Sequence, residues 1–169
     1  MKEHNILNHL KSEDFLTLAA AFTSITAIFL FIDQKYAAGI ILLLSAAIID
    51  LLDGLIARTR NTTTEFGRNL DFLQDTITYC VAVAVLIHMT VQAEWITYFL
   101  ILFLSASLTR LARQQTLKHD TRHYIGLPVT FNLMLPTMHL AGITNPLAYA
   151  TMMTLLSLLM VSNIKLKFL

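Results

Sequence analysis

Six apolar stretches, separated by short polar breaks, take up most of this chain. They run Phe15–Ile32, Ala37–Ala57, Gly67–Val91, Trp95–Leu111, Leu127–Ala141 and Leu147–Ile164. About 20 consecutive apolar residues let a helix cross the hydrocarbon core of a bilayer, and several of the stretches approach that length. The chain has 169 residues, of which 56% are hydrophobic and only 14% charged, a balance foreign to soluble globular domains. The pattern predicts an all-α integral membrane protein with six transmembrane helices. No low-complexity linker or internal repeat divides it, so residues 1–169 are expected to form a single transmembrane domain. Apolar positions within Asn5–Leu10 fit a short interfacial helix ahead of the first stretch. That stretch has no clear small-residue cleavage site and is read as retained.

Charge placement orients the chain. With six spans, both termini and the second and fourth loops share one side of the membrane. Of the twelve Lys and Arg residues, only Lys35 falls on the other side. Basic residues accumulate on the cytoplasmic face, so both termini are expected there. Tyr36 and Trp95 fall at span ends on the Lys35 side, where interfacial aromatics belong. A formal net charge of +1 gives no reason to expect a nucleic-acid partner. The single cysteine, Cys80, lies in an apolar run and reads as a packed core thiol.

Four aspartates interrupt this apolar pattern at one break. The stretch reads Asp50-x-x-Asp53-Gly54-x-x-Ala57-Arg58, then eight residues, then Gly67-x-x-x-Asp71-x-x-x-Asp75. Positions 50, 53, 54 and 57 form one stripe on the second span, and 67, 71 and 75 form another on the third. A short loop makes the two helices antiparallel neighbours, so the stripes can face each other. One acid at a span end is ordinarily solvated among headgroups. Four acids, two glycines and an arginine on facing stripes are not explained that way, and carboxylates at membrane depth mark functional sites. Oxygen-only donors suit Mg²⁺, Mn²⁺ or Ca²⁺, and no His or Cys joins them to favour zinc. Gly54 and Gly67 allow close approach, and Arg58 offers a planar fork to a phosphate. Cations beside a guanidinium are the equipment of phosphoryl transfer. A divalent-cation transporter is the alternative from another class, although Arg58 would repel its cargo.

The same stretch resembles the signature of the CDP-alcohol phosphotransferases, integral-membrane enzymes of phospholipid synthesis, with every specified position and the eight-residue gap present. The resemblance implies the fold of that family, six transmembrane helices, a homodimer and two divalent cations, Mg²⁺ or Mn²⁺ with Ca²⁺ also possible. It implies displacement of CMP from a CDP-linked lipid by an alcohol. Asp50, Asp53 and Asp71 would be metal ligands, and Asp75 both a ligand and the general base. Asp53, Gly54, Ala57, Arg58 and Gly67 would line the CDP pocket.

Downstream, Thr109-Arg110-Leu111-Ala112-Arg113 and Gly126-Leu127-Pro128 are similar to segments of the phosphatidylserine synthases. This favours CDP-diacylglycerol, or an ether-lipid equivalent, as donor and serine as acceptor. Arg110 and Arg113 become candidates for binding the acceptor carboxylate or a lipid phosphate. Phe72, Gln74 and Tyr79-Cys80 depart from those synthases, which carry a Phe-Gly pair at the last position. Glycerol 3-phosphate and inositol phosphate are the alternative acceptors.

Overall fold

The structure, a computed structural model, describes residues 12–60, 64–116 and 124–166; the side chains of Ser12, Glu13, Asp53, residues 56–60, Tyr124, Lys165 and Leu166 lie outside that description. The expected interfacial helix at Asn5–Leu10 also falls outside the described residues, as do His119, Arg122 and His123.

Helices form where the apolar stretches lie. Helix α1 covers Ser12–Ile32, α2 Tyr36–Arg60, α3 Glu65–Asp75, α4 Ala82–Thr90, α5 Ile96–Thr116, α6 Met134–Leu140 and α7 Pro146–Val161. A π-helical turn, Thr76–Val81, joins α3 to α4 into one rod, and a 3₁₀ turn, Val129–Leu133, leads into α6. Two residues on each side, Tyr124–Ile125 (β1) and Lys165–Leu166 (β2), pair antiparallel.

Among the described residues, three helical rods are long and apolar enough to cross a membrane: Asp14–Ile32, Glu65–Thr90 and Ile96–Thr116. Tyr36–Leu52 and Pro146–Val161 are shorter apolar helices. The fifth stretch departs furthest from a plain span. Pro128 and Pro136 bracket its first turns, and a proline has no N–H for the helical ladder. The result is a 3₁₀ turn followed by the short α6.

The outer surface is apolar. On α1, Phe15, Phe22 and Phe29 follow one another at seven-residue steps with exposures of 62%, 74% and 62%. Large side chains so displayed suit a hydrocarbon surround rather than water. The opposite side of α1 buries Ala20, Ala27 and Phe31 and packs chiefly on α2. The core gathers Phe31, Ile40, Leu43, Tyr79, Leu86, Phe103, Leu135 and Met153 from six of the α-helices and the π turn.

The two ends of the bundle are held differently. At one end, compact turns join α1 to α2 and α4 to α5. There the Tyr36 hydroxyl donates to the Met89 carbonyl at 3.2 Å, and its ring meets His139 edge-on. At the other end, side chains from helix termini reach the backbone of distant segments. Gln115 donates to the Arg68 carbonyl at 3.2 Å. Gly126, in a positive-φ conformation, passes so close to the Met160 carbonyl oxygen that a Cβ would strike it. The acids occupy this second end.

Candidate active site

Asp50 sits on α2, whereas Asp71 and Asp75 lie one turn apart on α3. One carboxylate oxygen from each falls within 4.8 Å of the other two. Two oxygens bound to one Mg²⁺ or Ca²⁺ are at most about 4–5 Å apart, twice the metal–oxygen distance, so this donor set fits a hard divalent cation. All three acids are partly exposed, and a site sunk in the core would admit no substrate. The two facing stripes expected from the sequence therefore meet at Asp50, Asp71 and Asp75. Asp53, Ala57 and Arg58 belong to α2 by backbone, and their side chains lie outside the described residues.

The two glycines of the signature have unlike surroundings. Among the described residues, a Cβ added at Gly54 would meet nothing within 4 Å. The same atom at Gly67 would come within 2.8 Å of Asp14 Oδ1 and 3.1 Å of Thr64 Oγ1. Thr64 is the N-cap of α3, and its hydroxyl accepts from the Gly67 N–H at 2.9 Å, satisfying one of the free donors of the first turn. Asp14 is only 2% exposed. It places a carboxylate beside a helix start, where the backbone dipole favours negative charge. In the sequence, Asp14 is only the last residue of the mixed-charge segment ahead of the first apolar stretch.

Tyr79 is the other residue that sequence reasoning missed. Its hydroxyl donates to Asp50 Oδ2 at 2.8 Å. The signal was available: 67, 71, 75 and 79 continue a single series of fours. Its neighbours are polar but buried. Gln74 Nε2 donates to Thr78 Oγ1 at 3.0 Å, and Thr78 shares a 2.6 Å hydrogen bond with Ser24. Asn132 Nδ2 donates to the Tyr79 carbonyl at 2.9 Å and to Ser107 Oγ at 3.2 Å. A π turn disturbs the regular backbone ladder, and in an apolar surround a displaced carbonyl needs a donor such as Asn132. Cys80 is fully buried in the core, as the sequence suggests.

The downstream arginines reach backbone carbonyls. Arg110, 2% exposed, donates from Nε to the Leu127 carbonyl at 3.1 Å and from Nη1 to Gln114 at 2.8 Å. Arg113 donates to the carbonyls of Val161 at 2.9 Å, Ser162 at 3.0 Å and Met160 at 3.4 Å. Cations at a helix C-terminus meet its unsatisfied carbonyls and the negative end of its dipole. Arg113 thus fastens α5 to the end of α7, and Arg110 fastens α5 to the segment that follows Gly126.

Comparison with known proteins places this acid cluster in a lineage. A sequence profile described as CDP-alcohol phosphatidyltransferase matches residues 12–167, nearly the whole chain. The chain belongs to the CDP-alcohol phosphatidyltransferase family. Among similar members, an archaetidylserine synthase of Methanothermobacter thermautotrophicus is 31% identical over 98% of this chain and 73% of its own length. A CDP-diacylglycerol--serine O-phosphatidyltransferase of Methanocaldococcus jannaschii is 30% identical over 90% of this chain and 71% of its own. One of the same name from Helicobacter pylori is 29% identical over 90% of this chain and 70% of its own. Asp50, Asp71 and Asp75 are accordingly carboxylates of a CDP-alcohol phosphatidyltransferase, grouped closely enough to hold a metal ion.

Proposed function

We propose that the protein moves a phosphatidyl group, or its ether-lipid equivalent, from a CDP-linked lipid to the hydroxyl of serine and releases CMP. The observation that carries this is the trio Asp50, Asp71 and Asp75 converging from two helices of a family member. The names of the relatives, all serine enzymes by their printed descriptions, supply the acceptor.

In this reading Asp50, Asp53, Asp71 and Asp75 hold two divalent cations, Mg²⁺ or Mn²⁺. When bound, such cations neutralise the pyrophosphate and favour departure of CMP. The space beside Gly54 accommodates the CDP moiety, with Ala57 and Arg58 following one turn further along α2 and Arg58 assigned to the pyrophosphate by its chemistry. Gly67 acts from behind, letting Asp14 close the start of α3. Asp75 accepts the proton of the serine hydroxyl, because an alcohol is a weak nucleophile until a positioned base takes its proton. Arg110 and Arg113 are assigned to the acceptor side, where a carboxylate or lipid phosphate would meet guanidinium donors beside the carbonyls they already bind. The reading includes six spans in one domain, a homodimer, and a site and termini on the cytoplasmic face, in line with the distribution of Lys and Arg.

The test is an acceptor screen. Purified chain in detergent, given CDP-diacylglycerol and Mn²⁺ or Mg²⁺, should release CMP when serine is added and fall silent with a chelator. CMP release driven by glycerol 3-phosphate or inositol phosphate, but not by serine, would reject the acceptor while keeping the chemistry.

A further inference from the structure

We propose that Tyr79 is a positioning residue for the Asp50 carboxylate, set in place by the π turn that follows Asp75. The proposal rests on the reading of Asp50 as a metal ligand.

Asp50 and Tyr79 come from different helical rods, so the 2.8 Å bond from the tyrosine hydroxyl to Asp50 Oδ2 ties together the two elements that carry the acids. Tyr79 itself is immobilised twice. Its ring lies in the apolar core at 2% exposure, and its carbonyl receives the Asn132 amide. Asn132 in turn is fixed by Ser107, whose hydroxyl reaches Met160 Sδ at 3.6 Å. The hydroxyl is therefore presented by a fixed ring rather than by a free surface side chain. One oxygen of Asp50 is oriented by it, and a carboxylate has about four acceptor sites on its two oxygens, so this bond does not by itself exhaust them. Donors of this kind hold a ligand in the rotamer that binds, so less ordering remains to be done when metal arrives.

The π turn supplies the register. In an α-helix every fourth residue drifts forward by about 40° around the axis, since 3.6 residues complete a turn. Across Gly67, Asp71 and Asp75 that drift accumulates. A wider turn closed by i→i+5 bonds reverses it. Over Thr76–Val81 this returns Tyr79 toward the face that bears Asp71 and Asp75. Without that turn a third α-step would carry the hydroxyl further off the stripe.

Tyr79→Phe keeps the ring and removes only the hydroxyl. Mn²⁺ binding to the full chain in detergent, followed by electron paramagnetic resonance without substrate, should weaken by roughly ten-fold, the lower range for loss of such a donor. The Mn²⁺ needed for half-maximal CMP release should rise in parallel, with turnover at saturating Mn²⁺ retained. A ring that merely packs predicts unchanged Mn²⁺ binding, and that result overturns the proposal. Failure of the unaltered chain to bind Mn²⁺ would instead overturn the metal reading beneath it. Should Tyr79→Phe melt below the assay temperature, 3-fluorotyrosine at position 79 of the otherwise natural chain provides the readout. Its fluorine resonance should move on addition of Mg²⁺ with the same half-saturation as CMP release. A resonance that stays in place overturns the proposal.

Discussion

Gly54 and Gly67 are the same residue at matching ends of one motif, and they do opposite things. Beside Gly54 the space is open among the described residues. Beside Gly67 it is taken by Asp14 and Thr64 of the protein itself. In the proposed reading the absent side chain makes room for a substrate at Gly54 and for another part of the chain at Gly67. The difference separates a wall of the site, which a ligand must touch, from a joint behind it, which only the fold must touch. Substitutions that move turnover without stability belong to the wall, and those that move stability first belong to the joint.

The largest effect is expected on the wall, at Asp75. Asp75→Asn keeps the size of the side chain and removes its capacity to accept a proton from the acceptor. CMP release should fall by about 10²–10⁴-fold, the usual worth of a positioned base, while the melting temperature in detergent stays close to that of the natural chain. Full turnover in this variant would remove Asp75 from the chemistry and leave it a structural acid. Next comes Gly54→Leu. It fills the open space one turn from Asp50 and should lower CMP release by roughly 10²-fold, as misplacement of a substrate by about an ångström does. Among the described residues no atom lies within 4 Å of a Cβ at this position, so the fold should be little harmed. A stable variant with unimpaired turnover would show that the nucleotide lies elsewhere, and the contrast between the glycines would lose its functional half.

Much of this was legible before any coordinates. Apolar stretches report helices through length and composition, and each predicted segment has a helical counterpart among the described residues. The acid trio was legible too, because spacings of three and four place residues on one face whatever the tertiary fold. What remained hidden depends on partners distant in sequence. Asp14 is only the last residue of a mixed-charge segment, because nothing local says that α1 will carry it to the first turn of α3. Arg113 reads as a charge for substrate or headgroup, because the carbonyls of Met160, Val161 and Ser162 lie 47 to 49 residues away. Tyr79 stands between these cases. Its place in the series of fours is local, but the π turn that realigns it is not signalled by any residue we can name. Gly54 and Gly67 are indistinguishable in sequence for the same reason, since a glycine says only that a side chain is missing.

The smallest effect, and the sharpest for the joint, concerns Gly67→Ala. Within a helix, replacing glycine by alanine ordinarily stabilises by about 0.5–1 kcal/mol through reduced backbone freedom. At Gly54 that gain should be seen, because the added methyl meets nothing among the described residues. At Gly67 the methyl would stand 2.8 Å from Asp14 Oδ1 and 3.1 Å from Thr64 Oγ1. Both oxygens end short side chains and can give way, so the clash should cost about 1–3 kcal/mol, the range for overpacking. The net result is a modest loss at Gly67 against a modest gain at Gly54, read as opposite shifts of the unfolding midpoint in a denaturing detergent titration. A cycle with Asp14→Ala then isolates the cause. In the Asp14→Ala background the clash is relieved, and Gly67→Ala should become neutral or stabilising although Asp14→Ala alone destabilises. If Gly67→Ala were equally harmful in both backgrounds, Asp14 would not be what fills that space. The joint would then have to be sought at Thr64, whose hydroxyl caps the helix that carries Asp71 and Asp75.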